Sequence, residues 1–326
     1  MVNVSRGEIP RQLNHKSHYL VMINPANILP TSQSTVNFPS SPFIFLPASQ
    51  TSFFGSNQND WIMSFGDNKI IRLGNGNNRL FSNGDHVQAY SGTGNDMFSM
   101  TGAKQSIFSQ GGRNIVKTNA GNDRIVLGSV SNGDDRVESQ AGHDVIYTHG
   151  GNDIVISGDD DDKVMLGLGD DKANLGNGND KGYTGHGDDT VHGKSGDDMI
   201  SGLQMNGNKT LFGESGNDEL IGGVHNDYLD GGADKDILVG NEGFNIYWGG
   251  ADADVFKIGR GNDLVEDYDR RQGDRIEFHM PVDFTSISVN HHVVNYDGKL
   301  PNGQLINGSI VCADTSQANS LASSWA

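Results

Sequence analysis

Gly142-His143-Asp144-Val145-Ile146, Gly151-Asn152-Asp153-Ile154-Val155 and Gly187-Asp188-Asp189-Thr190-Val191 are three copies of one pattern. Each places an aspartate two residues ahead of an apolar or β-branched strand residue, and the full nine-residue unit reads G-G-x-G-x-D-x-U-x, with U large and apolar. Nine residues make about two and a half helical turns, so a helix would throw successive U residues onto opposite faces. A short x-U-x strand keeps U inward, because neighbouring side chains alternate faces. The intervening residues are rich in Gly and Asp and read as turns, where glycine accepts positive φ.

Working outward, the apolar column starts Ile62, Ile71, Leu80, Ala89, Phe98, Ile107, Val116 and Ile125. It continues Val137, Ile146, Val155, Val164, Ala173, Gly182, Val191 and Ile200, and ends Leu211, Leu220, Leu229, Leu238, Tyr247, Phe256 and Val265. Every step is nine residues except those before Val137 and Leu211, where short insertions are expected to bulge out. Two units make one coil with a strand on each side, and coils stack at about 4.8 Å. One coil cannot bury its apolar residue alone, so stability comes from stacking. The expectation is an all-β parallel solenoid of about a dozen coils over residues 55–266. Residues 1–54, with Pro25, Pro30, Pro39, Pro42 and Pro47, read as an N-terminal arm or cap, and residues 267–326 as a C-terminal cap whose last residues have little to pack. Ala173 and Gly182 are expected to leave thin spots in the core.

The composition fits this architecture better than a conventional thick core. The chain has 326 residues, 45 of them glycine, and only 34% are hydrophobic. With 41 acidic and 23 basic residues the formal charge is −18, and no basic stripe exists to displace phosphate counterions, which excludes nucleic acid as a partner. The single cysteine, Cys312, excludes an internal disulfide framework. No stretch reaches the roughly 20 apolar residues of a membrane helix. Met1 to Gly7 lacks the charged-then-apolar start of a signal peptide.

The sixth position of the repeat carries the chemistry. On one edge of the stack it reads Asp123, Asp144, Asp162, Asp180, Asp198, Asp218, Asp236 and Asp254 without a break. The other edge reads Asp135, Asp153, Asp171 and Asp189, breaks at Lys209, and resumes at Asp227, Asn245 and Asp263. Unit charges at coil spacing repel by roughly 3–4 kcal/mol per pair at an effective dielectric of 20. Such a ladder stays stacked only with cations between its rungs. Carboxylates and turn carbonyls form an all-oxygen shell that suits a hard ion with six or more ligands, and calcium fits better than magnesium, which demands tight octahedral geometry. One Gly-Asn-Asp is an ordinary turn, but a column in register with an apolar residue two places later is not. Toward the N-terminus Lys69, Val87 and Gln105 cannot supply a carboxylate, so metal is expected to concentrate between Asp123 and Asp254.

This pattern resembles the RTX family of secreted bacterial proteins, also called hemolysin-type calcium-binding proteins, over about two-thirds of the chain. The resemblance implies a right-handed parallel β-roll with calcium bound between successive coils. It implies as ligands the sixth-position aspartates named above, with backbone carbonyls from glycines such as Gly151, Gly169 and Gly178. The segment Glu266 to Phe278 is similar to the closing strand of serralysin-type proteins. Family membership further implies type I secretion from a Gram-negative cell with an uncleaved C-terminal signal, and an array that folds in extracellular calcium.

No catalytic constellation accompanies the repeats. The chain has no H-E-x-x-H and no G-x-S-x-G. Ser195 and Ser215 sit in repeat turns, and His291-His292 has no partner at zinc spacing. A binding role has one pointer. The outward ninth position on alternate units reads Tyr90, Phe108, Val126, Tyr147, Met165, Tyr183, Ser201, Ile221 and Val239, an apolar stripe on one sheet face. Three readings suit it: cover by the chain's own Phe43–Phe54 segment, contact with a protein or cell-surface partner or a second copy, or plain exposure. The expected function is a secreted, non-enzymatic calcium-binding scaffold. The alternative is the export and folding module of an RTX protease, lipase or toxin that has lost its catalytic domain.

Overall fold

The computed structural model describes residues 43–128, 133–202, 205–278 and 282–325. The U residues form two facing columns, each on its own parallel sheet. The first sheet carries Ile44, Ile62, Leu80, Phe98 and so on to Val265, and the second carries Phe53, Ile71, Ala89 and onward to Ile276. Successive coils pair in strict register, with Val155 opposite Ala173 on one sheet and Ile146 opposite Val164 on the other. The second sheet has 13 strands, and the first continues into the C-terminal strands. The protein is thus an all-β, mostly parallel solenoid of about thirteen stacked coils. Parts of both insertions, residues 129–132 and 203–204, lie outside the described residues, as do residues 1–42 of the expected arm.

The stack begins earlier than the nonapeptide pattern indicates. Phe43–Leu46 and Ser52–Phe54, read from the sequence as arm, form the first coil, with Ile44 opposite Ile62 and Phe53 opposite Ile71. Their nine-residue spacing was present, but no aspartate marks their turn. The segment is therefore built into the stack and is not a cover for the tyrosine stripe.

A second inward column lies two residues beyond each U, because strand alternation returns the chain to the inner face. It contains Leu73, Met100, Leu127, Leu166, Leu175 and Ile258 with buried serines and threonines between them. Leu175 fills the place expected to be thin beside Gly182, its Cδ1 lying 3.1 Å from where a Cβ on Gly182 would be. From Gly193 onward this column turns to glycine at Gly213, Gly231 and Gly249, and there the carboxylate of Asp218, Asp236 or Asp254 occupies the place a Cβ would take.

The C-terminal cap is better packed than its composition suggests. Arg275–Phe278 adds in parallel to Val255–Ile258 and closes the second sheet. Asp283–Asn290, Val293–Lys299 and Leu305–Cys312 form an antiparallel meander whose last strand pairs in parallel with Arg260–Tyr268. The helix Thr315–Trp325 docks on this meander, burying Ala318 and Leu321. Its Trp325 stacks on Phe284 at 5.2 Å and meets Phe278 and Tyr296 edge-on.

Candidate metal centre

Each coil presents one turn at either edge of the stack, and the turns stack as the strands do. The fourth residue of most aspartate turns takes positive φ, which favours glycine: 126° at Gly151, 118° at Gly169 and 145° at Gly178. A Cβ on any of the three would strike a carbonyl of the coil before, at Gly133, Gly151 and Asp160 respectively. Close stacking of the turn carbonyls therefore depends on these glycines. The turns of Lys69, Val87 and Gln105 differ, placing positive φ at the fifth residue, Asn68, His86 and Lys104.

The sixth-position aspartates are buried, and each reaches back toward the preceding coil. Oδ1 of Asp144, Asp162 and Asp180 accepts the backbone N–H of Asp123, Asp144 and Asp162, all at 2.7 Å. The same bond runs on through Asp198, Asp218, Asp236 and Asp254 at 2.8–2.9 Å. It ends on Asp274, which accepts from the Asp254 N–H at 3.1 Å and was missed as a column member because a 20-residue step precedes it. The other edge repeats the arrangement through Asp135, Asp153, Asp171 and Asp189 at 2.6–3.0 Å. It resumes at Asp227, which accepts from Lys209 N–H at 2.7 Å, and at Asp263, which accepts from Asn245 N–H at 3.2 Å.

A second ladder runs the opposite way. Asn and Asp side chains one residue earlier accept the N–H of the equivalent residue in the following coil, as Asn152 does from Asp170 at 2.9 Å and Asn179 from Asp197 at 2.8 Å. The signal was legible as the frequent Asn or Asp at the fifth position, but was read only as turn chemistry.

What remains is one oxygen per carboxylate. Among the described residues, Oδ2 of Asp96, Asp123, Asp135, Asp144, Asp153, Asp162, Asp171, Asp180, Asp198, Asp218, Asp236, Asp254 and Asp263 is buried with no hydrogen-bond partner. For Asp123, Asp144, Asp153 and Asp162 the nearby hydroxyl is engaged elsewhere. Thr118, Ser139, Thr148 and Ser157 donate their single proton to the carbonyls of Ser139, Ser157, Leu166 and Leu175. Buried oxygens of this kind are costly unless something else satisfies them. Burial consequently pushes these carboxyls up: Asp162, Asp171, Asp198 and Asp236 to about 8, and Asp135, Asp144, Asp218 and Asp254 to about 7, with the charge of neighbouring aspartates adding to the effect. Asp123, Asp153, Asp180 and Asp263 reach about 6 for the same first cause.

These donors fit a hard divalent cation. Among the described residues no three His, Cys, Asp or Glu side chains converge on one point, so the shell would be carboxylate oxygen plus backbone carbonyl. Neutral members of the column show the acceptors by what they donate to. Asn114 Nδ2 reaches the Gly112 carbonyl at 2.9 Å and Asp135 Oδ1 at 3.0 Å, and Gln105 Nε2 reaches the carbonyls of Gly84 and Ala103 at 3.0 and 3.1 Å. Four aspartates differ from the rest. The second oxygen of Asp60 accepts the Ser56 N–H, that of Asp227 the Gly223 N–H, that of Asp274 the Asp269 N–H, and that of Asp189 the ammonium of Lys209.

The ninth-position stripe forms a continuous ladder on the second sheet, from Tyr90 opposite Phe108 through Tyr147 opposite Met165 to Ile221 opposite Val239. Its rings are half-buried by each other and by cations: Tyr90 stacks on Phe108 at 5.1 Å, Arg124 covers Tyr147 and Lys163 covers Tyr183. Exposed apolar groups occur on both sheets, with Phe54 and Leu168 on this one and Trp61, Ile115, Ile154, Ile156 and Trp248 on the other. No helix among the described residues is long and apolar enough to cross a membrane.

The family description "RTX calcium-binding nonapeptide repeat (4 copies)" fits residues 106–131, 129–164, 165–200, 205–238 and 230–265. No curated protein matches the chain.

Proposed function

We propose, from the premise that the repeats between residues 106 and 265 belong to the RTX calcium-binding family, that this chain is a secreted scaffold whose solenoid folds on calcium. The observation that carries the reading is the set of thirteen buried, partnerless aspartate oxygens, ranked along both edges of the stack. A cation between coils would satisfy them, hold the carboxylates ionised and cancel their mutual repulsion. The ligands are the sixth-position aspartates from Asp123 to Asp263 other than Asp189 and Asp227, whose second oxygens are already taken, joined by Asp96, with turn carbonyls at residues such as Gly151, Gly169 and Gly178. Calcium suits a flexible all-oxygen shell of many backbone donors better than magnesium does.

Low cytosolic calcium would leave the acidic array unfolded and fit for export, and millimolar calcium outside would fold it by mass action. Type I secretion accords with this order of events. The scaffold's contact surface is the Tyr90, Phe108, Tyr147 and Tyr183 face, where stacked rings and overlying Arg and Lys side chains present a flat, rigid ladder suited to a protein or cell-surface partner. The role requires no catalytic group.

Calcium titration followed by circular dichroism tests the reading. Strand signal should develop cooperatively with calcium and be largely absent in chelator. A strand signal already complete in chelator would refute it. For the surface, Tyr147→Ser with Tyr183→Ser should abolish capture of a defined cell-surface partner while leaving the calcium titration unchanged.

A further inference from the structure

Two lysines stand in the sixth-position column and point into turns where aspartates stand elsewhere. Lys69 and Lys209 are both fully buried. Lys209 Nζ lies 2.8 Å from Asp189 Oδ2, 2.5 Å from the Gly187 carbonyl and 3.3 Å from the Asn206 carbonyl. Lys69 Nζ meets the carbonyls of Pro47 at 2.9 Å, Ala48 at 3.5 Å and Gln50. An ammonium carries three donors and no acceptor, and here they meet a column carboxylate and turn carbonyls, the same kinds of oxygen a hard cation would take.

The aspartate columns locate the effect. Asp135, Asp153 and Asp171, the three preceding members of the edge, each keep a partnerless Oδ2, whereas that of Asp189 is taken by Lys209. The ladder of N–H to Oδ1 bonds also breaks here, and the Asp189 N–H donates to the Asn208 carbonyl instead.

We propose that the Lys209 ammonium takes the place of a calcium ion at the junction below Asp189, so that the row of metal sites at Asp135, Asp153 and Asp171 is closed by a cation built into the chain. The inference rests on the calcium reading of the aspartate columns. Lys69 repeats the device near the N-terminal end with carbonyls alone, where no column carboxylate is available. Both junctions are then held at any calcium concentration, while their neighbours wait for the ion.

The test counts bound calcium per full-length chain by equilibrium dialysis with radioactive calcium at saturation. Lys209→Asp restores the column and should bind one calcium more than the parent. Lys209→Met keeps the length, removes the charge and offers no ligand; it should bind the parent's number yet melt several degrees lower in saturating calcium. An unchanged count in folded Lys209→Asp overturns the proposal. If that variant does not fold, a Lys209→Met protein that melts with the parent overturns it. A parent chain that binds no calcium refutes the proposed function instead, and Lys209→Met then still tests the ammonium by its melting temperature.

Discussion

The backbone N–H of Asp162 donates to Oδ1 of Asp180, one coil on, at 2.7 Å, and Oδ2 of Asp180 is left buried without a partner. One oxygen of each column aspartate thus serves the stack, and the other faces the space between turns. Removing such a carboxylate takes away a backbone cap and a ligand together.

Asp162→Ala with Asp180→Ala should raise the calcium midpoint of folding by about tenfold or more, since each lost charged hydrogen bond is worth roughly 1.5–3 kcal/mol. Cooperativity should fall as well. Asp60→Ala should shift the midpoint far less, because its carboxylate already accepts from Ser56 N–H and hydroxyl. Equal shifts in the two proteins would contradict this division.

The metal-free chain should respond to pH in the opposite sense to most acidic proteins. Burial raises Asp162 and Asp198 from 3.8 to about 8, so between those values the folded chain binds more protons than the unfolded one. Stability of the metal-free array is therefore greatest at low pH and declines as pH rises through that window. In chelator, strand content by circular dichroism should be higher at pH 5 than at pH 8. Identical chelator spectra at the two pH values would count against it.

Two glycine substitutions should separate turn from core. Gly169→Ala puts a Cβ onto the Gly151 carbonyl at a φ of 118°, and should cost about 2 kcal/mol or more in thermal or urea unfolding. Gly182→Ala lies in a strand with ordinary contacts to Val191 and Ile200 at 3.7 Å, and only the flexible end of Leu175 must give. It should stabilise by up to about 1 kcal/mol through lost unfolded-state entropy.

The C-terminal helix should act as a latch on the cap. Trp325→Ala removes the ring that stacks on Phe284 and meets Phe278 and Tyr296, and should cost about 2 kcal/mol or more. Hydrogen exchange should show faster exchange in Asp283–Cys312 while protection over Ile146–Leu220 is retained. Uniform loss along the whole chain would place the helix's role elsewhere.

The solenoid itself was legible because its rule is local and repeated. Ile146, Val155 and Val164 announce inward strands, and the glycines before them announce turns, without knowledge of any distant contact. The aspartate columns and the break at Lys209 followed from counting. The first coil was not legible as such, because Phe43–Leu46 and Ser52–Phe54 carry the apolar spacing without the aspartate. Asp274 escaped because its step is irregular, and the helix at Thr315–Trp325 because its small residues give little apolar pattern.

By itself the sequence determined the nine-residue period, the two inward columns of U and the two acidic edges, since each depends only on neighbours within a turn or strand. Tertiary structure decided which oxygens are left for a cation. Asp171 and Asp189 are the same residue type at the same repeat position, yet one carries a partnerless oxygen and the other an ammonium from Lys209, two coils' turns meeting in space. Whether a carboxylate is free depends on what the adjacent coil places beside it, about twenty residues away in the chain and a few ångströms away in the stack.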